Sequence, residues 1–223
     1  MKILTVGASP YVHTRGGRIN SFLLSSLQQK HDVVSVVWHH DINYFIANEE
    51  GKYIYEKDDK VISILYPIFY PKKDPFKEKS TILLYEIIKQ EKPDIVLSIG
   101  DIDETNFIHS IKQLIDFKWI GIFTIASSSN PVNPDRMDFL ESVDFAIHTN
   151  KRAKEDWDNY LEKNNIILNS EYNSIGIDNS KFYRNKSIEK NKFFVLNCSK
   201  NYNILTYQHL LKVLLNFIMD NLM

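Results

Sequence analysis

A single cysteine, Cys198, excludes an intramolecular disulfide framework and any multi-cysteine zinc site in this chain of 223 residues. A reducing compartment follows, and the cytosol is the expectation. Charge of one sign is also lacking: 27 Lys and Arg stand against 28 Asp and Glu, for a formal charge of -1. Such a balance produces no strong field toward nucleic acid or an anionic membrane. No stretch approaches the roughly 20 apolar residues of a membrane span, and the apolar run after Met1 is too short for a signal peptide. Only peripheral membrane contact stays open. The chain has neither the G-x-G-x-x-G of a dinucleotide site nor the G-x-x-x-x-G-K-[ST] of a P-loop, and no H-E-x-x-H pattern, nucleophile elbow or Cys-His arrangement.

What is present is a rhythm. Short runs, apolar on both faces, recur at residues 2–7, 32–38, 94–99, 119–125 and 144–148, as strands of a parallel sheet covered on two sides require. Helical patterns alternate with them at 19–29, 81–90, 104–117 and 151–163, the last after a Thr149-Asn150 cap signal. Alternation of this kind predicts right-handed βαβ units and a doubly wound, mainly parallel Rossmann-like α/β sheet. Residues 44–70 break the rhythm. Tyr53-Ile54-Tyr55 and Val61-Ile62-Ser63-Ile64 read as strands, so a β-hairpin insertion is expected there, with Glu50-Gly51 as the turn signal. Residues 185–192 resemble a linker, and 193–223 form a C-terminal β-α unit that cannot bury both its strand and its helix alone. The helix pattern there carries Leu211, Leu214, Leu215, Ile218 and Leu222 on one face, from which self-association or a partner subunit through 193–223 is expected.

Candidate site residues cluster where strands end. After the first strand, Gly7-Ala8-Ser9-Pro10 leads to His13, Arg15, Gly16, Gly17 and Arg18 at the start of the first helix. Free amides, glycines and two guanidinium groups at a helix N-terminus suit a phosphate or sugar, while Gly16 and Gly17 as turn and packing residues are the plain alternative. The strand at 94–99 delivers Gly100 and Asp101; the strand at 119–125 delivers Ser127, Ser128, Ser129 and Asn130. Ligands of open α/β sheets gather at these carboxyl ends. Asp101 suits a general base or the cap of the helix that follows, and the serine run also describes an ordinary loop. His39 and His40 are adjacent, point in different directions on an extended chain, and need ligands from elsewhere to hold a metal, so no metal site is expected.

In order and spacing these pieces resemble the GT-B glycosyltransferases, particularly the large retaining group often labelled family 4. Residues 2–9 with Gly16-Gly17, Leu23, Leu24 and Leu27 resemble its opening strand, glycine-rich loop and first helix. His31-Asp32-Val33 is similar to its "G-H-x-V", Lys92-Pro93-Asp94-Ile95-Val96 to its "K-P-D-V-V", and Val143-Asp144-Phe145-Ala146-Ile147 to its "A-D-x-V-I". Ser174-Ile175-Gly176-Ile177-Asp178 with Phe182 resembles its "N-G-V-D-x-x-x-F". The resemblance implies an acceptor-side Rossmann-like domain over 1–184, a linker over 185–192 and the start of the donor-side domain over 193–223. It implies a nucleotide-sugar donor as substrate, no cofactor, and a glycan, lipid or protein acceptor. Lys200 stands where the family has a diphosphate-holding arginine, Leu205 or Thr206 stands near its lysine, and Ala126-Ser127 occupies the place of a histidine. The family's "E-x7-E" segment is not reached. Two functions are therefore expected: sugar transfer as a truncated chain or one half of a split enzyme, weak or inactive alone, and a non-catalytic sugar- or protein-binding module. A different nucleotide-dependent α/β enzyme is disfavoured by the missing glycine signatures.

Overall fold

In the computed structural model, which describes residues 1–38, 46–49, 51–69, 76–124 and 138–174, every apolar run in the described part becomes a strand. The elements are β1 (Lys2–Gly7), α1 (Arg15–Leu27), β2 (Asp32–Trp38), β3 (Ile46–Ala47), β4 (Tyr53–Lys57), β5 (Lys60–Ile68) and α2 (Phe76–Glu91). They continue with β6 (Ile95–Gly100), α3 (Ile102–Thr105), α4 (Ile108–Lys112), β7 (Lys118–Phe123), a 3-10 helix (Asp138–Ser142), β8 (Phe145–His148), α5 (Lys151–Lys163) and β9 (Ser170–Tyr172). The chain divides into two compact units, Met1–Tyr172 and Asn173–Met223, and all of these elements belong to the first. The boundary expected at 184, the linker and the C-terminal β-α unit lie outside the described residues.

The strands form one sheet in the order β3-β4-β5-β2-β1-β6-β7-β8-β9. From β5 to β9 all neighbours are parallel, and only β3-β4 and β4-β5 are antiparallel. Both faces are covered, because β-residues alternate sides. Leu4, Val6, Val34, Val36, Val96 and Trp119 pack with α2, α4 and α5 through Leu84, Ile88, Ile108, Ile111, Trp157 and Leu161. On the opposite face, Thr5 and Ser35 point toward α1, whose buried face is Ile19, Asn20, Leu23, Leu24 and Leu27. The doubly wound class is thus observed.

Some elements differ from the sequence reading. The pattern at 104–117 divides into α3 and α4, and the short, polar edge strand β9 has no apolar signature. The hairpin over 53–68 is present, but its turn is Asp58-Asp59, with φ of 53° and 58°, while Gly51 turns the chain between β3 and β4 at φ 75°. Its second strand, β5, is no insertion beside the sheet; it pairs parallel with β2 and extends it. Two consecutive left-handed residues between antiparallel strands define the tight turn that glycine and asparagine favour. Asp59→Gly is therefore expected to raise stability by roughly 0.5–1 kcal/mol, read as a higher urea midpoint with an unchanged slope.

The acidic residues of the family-like segments lie at the amino edge of the sheet, away from the carboxyl ends. Asp94 accepts from the Lys2 amide at 2.7 Å and returns its own amide to the Lys2 carbonyl at 2.9 Å. Asp144 accepts from the Trp119 amide at 2.7 Å and pairs with Lys112 and Lys118. Asp32 donates its amide to the Met1 carbonyl at 3.1 Å. These contacts align strand starts. Beside them Lys2 bridges Glu91 at 2.6 Å and Tyr66 donates to the same carboxylate. Burial alone would raise Glu91, but hydrogen bonds from Lys2 and Tyr66 outweigh it and hold the carboxyl below its ordinary value. Burial and that carboxylate together push the Tyr66 phenol up to about 12.

Candidate functional site

From β1 the chain passes through α1 to β2 on one side, while β6 enters on the other, so the connections leave in opposite directions between β1 and β6. A crevice opens at the carboxyl ends of strands where this reversal falls. Two of the expected clusters meet at this point: the loop 8–14 with the start of α1, and Gly100-Asp101 after β6.

The loop is held by its own chemistry. Ser9, fully buried, accepts the Val12 amide at 3.1 Å. Tyr11 donates its hydroxyl to the Ile54 carbonyl at 3.1 Å and accepts from the Glu56 amide at 3.0 Å, its ring edge-on to Tyr55 at 5.1 Å. Thr14 caps α1, its side chain accepting from Gly17 N at 3.1 Å. The first turn of α1 has no acidic residue and carries Arg15 and Arg18 instead. Cations at the positive end of a helix are unfavourable in isolation and favour an anion placed beside them. His13 and Arg18 are exposed there and Arg15 is half-buried.

Arg15 spans the crevice. Its guanidinium donates to the carbonyl of Thr124, just beyond β7, and the Thr124 hydroxyl donates to the Asp101 carboxylate at 3.0 Å. Asp101 is the N-cap of α3, and Glu104 reaches back to accept the Asp101 amide at 3.0 Å. Gly100, the buried last residue of β6, accepts from the Thr124 amide at 3.3 Å. A polar chain from Arg15 through Thr124 to Asp101 therefore runs across the ends of β1, β6 and β7, suited to binding phosphate or hydroxyl groups. Ser127, Ser128, Asn130 and Lys200 lie outside the described residues, as do His39 and His40. Among the described residues no cluster of three or more His, Cys, Asp or Glu could hold a metal ion, and no helix is long and apolar enough to cross a membrane.

Two contributors were given no role by the sequence pattern. Thr14, within residues 13–18, carried the signal of a cap before a helix. Thr124 carried none.

The sheet order, the two-sided helical cover and the glycine loop at the switch point define a GT-B-like, Rossmann-type domain. No family model matches the chain, and no curated protein is similar to it in sequence. Among solved structures, a trehalose-6-phosphate synthase aligns over 80% of this chain and 50% of its own at 9% identity, with a TM-score of 0.54. A UDP-N-acetylglucosamine 2-epimerase from Rickettsia bellii aligns over 78% and 44% at 15% identity, with a TM-score of 0.51. Both are GT-B fold enzymes, and likeness at these identities concerns the fold. The chain spans about half the length of the structures it matches.

Proposed function

We propose that this chain is the acceptor-side half of a nucleotide-sugar enzyme, a glycosyltransferase that moves a sugar to the hydroxyl of a glycan, lipid or protein, acting as part of a longer or split enzyme. The supporting observation is the Arg15–Thr124–Asp101 chain at the switch point, next to a helix start bearing two cations. Arg18 and the first-turn amides of α1 would face the departing diphosphate, where fixed positive groups favour the developing charge. Asp101, fastened by Thr124, would orient the acceptor hydroxyl or take its proton. A partner subunit or a second copy joined through 193–223 belongs to the same reading, as the source of donor-side groups.

Calorimetric titration of the full chain with UDP and UDP-sugars tests it. Saturable binding is expected, weakened about tenfold by Arg18→Ala through the loss of one charge-assisted contact. UDP release by the chain alone should stay at background. Absence of nucleotide binding at millimolar concentration would overturn the reading. A non-catalytic binding module is favoured by one observation: Arg15 and Asp101 both engage groups of the protein itself. Saturable binding without turnover, even with a donor-side partner added, would select that second function.

A further inference from the structure

We propose that Asn20 is the positioning residue of the ligand loop: from within α1 its side-chain amide holds the Ala8 carbonyl and so sets the course of residues 8–14. The proposal rests on the reading of that loop as ligand-facing. Asn20 lies on the buried face of α1 between Ile19 and Leu23 and is fully buried. Asparagine is a poor choice for that place, since it loses helix propensity and must satisfy three or more polar valences away from water. Its Nδ2 donates to the Ala8 carbonyl at 3.0 Å and to the Ser35 hydroxyl at 3.2 Å, and Ser35 in turn accepts from Thr5 at 2.7 Å. Its Oδ1 is buried and has no partner among the described residues. A flipped amide would set Oδ1 against the Ala8 carbonyl, two acceptors facing each other, so the orientation is dictated by Ala8.

An unpaired buried acceptor destabilises the fold, and leucine at this position would avoid it while matching the neighbouring stripe. What leucine could not do is hold Ala8. The Ala8 side chain lies against the start of α1, its Cβ 3.3 Å from where a Gly16 Cβ would stand. Fixing the Ala8 carbonyl therefore fixes the spacing between the end of β1 and the helix amides that face the crevice. Tyr11 ties the loop sideways to β4 and Ser9 closes its turn; Asn20 alone among these reaches it from the sheet-facing side of α1, directly at the Ala8 carbonyl. Support of this kind from a buried group is what keeps a binding loop close to its productive geometry.

Hydrogen exchange and UDP titration on the full chain carrying Asn20→Leu, Asn20→Ala or Ser35→Ala test the idea. Either Asn20 variant is expected to speed exchange of amides 8–14 by about tenfold relative to those of β1 and β6, by opening a local unit, and to weaken UDP by about tenfold. Ser35→Ala, which leaves the Ala8 contact in place, should stay within about twofold in both. Should Asn20→Leu fail to fold, Asn20→Ala gives the same comparison. Loop exchange that does not rise relative to β1 and β6 overturns the proposal, whatever happens to affinity. Loop exchange that rises in a protein that binds no UDP upholds the positioning role and removes only the nucleotide reading on which it was placed.

Discussion

Gly17→Val is expected to destabilise the first unit by about 3 kcal/mol, in the upper range for overpacking. A Cβ at position 17 would stand 2.3 Å from the Val12 carbonyl oxygen, 2.6 Å from that of Ser9 and 2.8 Å from Val12 Cγ2. Two of the three obstacles are backbone and cannot rotate aside. Ser9 is committed to the Val12 amide and Tyr11, between them, is tied to β4, so relief requires the whole loop to lift from α1. Gly16→Ala is the internal comparison: its Cβ would meet only the Ala8 side chain, at 3.3 Å, and alanine is the better helix former. Its midpoint in urea should stay near that of the parent. A Gly17→Val protein as stable as the parent would mean that the loop does not rest on α1 as described. Because this glycine serves the loop's own packing, ligand binding is better probed through Arg18.

His148→Leu is expected to remove about 3 kcal/mol of acid sensitivity, since one pKa unit corresponds to about 1.4 kcal/mol. The ring sits at the carboxyl end of β8, edge-on to Trp157 at 4.6 Å and tilted against Phe123 at 6.0 Å, with 1% exposure and no hydrogen-bond partner for either nitrogen among the described residues. Burial lowers its pKa from the ordinary 6.5 to about 4; Asp158 pulls it back upward and Lys154 adds to the decrease. The folded state thus binds the proton less well than the unfolded chain. Stability from keeping this ring neutral is complete above pH 6.5 and is lost as pH falls from there through about 4. Leucine has nothing to titrate and leaves no unpaired nitrogen, so the variant should also be more stable at neutral pH, by about 1–2 kcal/mol. Urea unfolding at pH 7.5, 5.5 and 4.0 decides the matter, because every other titrating group is common to both proteins. Parallel losses in parent and variant would show that His148 is solvated.

Particular residues show where legibility stopped. Strands β1, β2, β6 and β8 were read nearly to the residue because each is apolar on both faces, and burial on two sides is a property of the segment itself. Asn150 announced α5, and its side chain does accept the Arg152 and Ala153 amides. Strand β9 escaped because Ser170-Glu171-Tyr172 is a polar edge defined only by its parallel pairing with β8. Strand β5 was recognised as a strand but not as a neighbour of β2, since pairing across a sheet leaves no local mark. The acidic residues at 32, 94 and 144, conspicuous because they sit in family-like segments, turned out to align strand starts at the edge opposite the crevice.

The amino-acid order by itself determined the class of fold: two-sided apolar runs separated by helical periods admit a parallel, doubly wound sheet and little else, and its strand ends then collect polar residues on one edge. Tertiary structure alone decided which of those residues meet. Arg15 and Thr124 are 109 positions apart and join only because the sheet order places β1, β6 and β7 side by side. It also decided that Gly17 is small because two carbonyls of its own loop occupy the space, and that Asn20 faces Ala8 rather than water. Contacts of this kind depend on where distant segments are brought together, and no local pattern of residues records that.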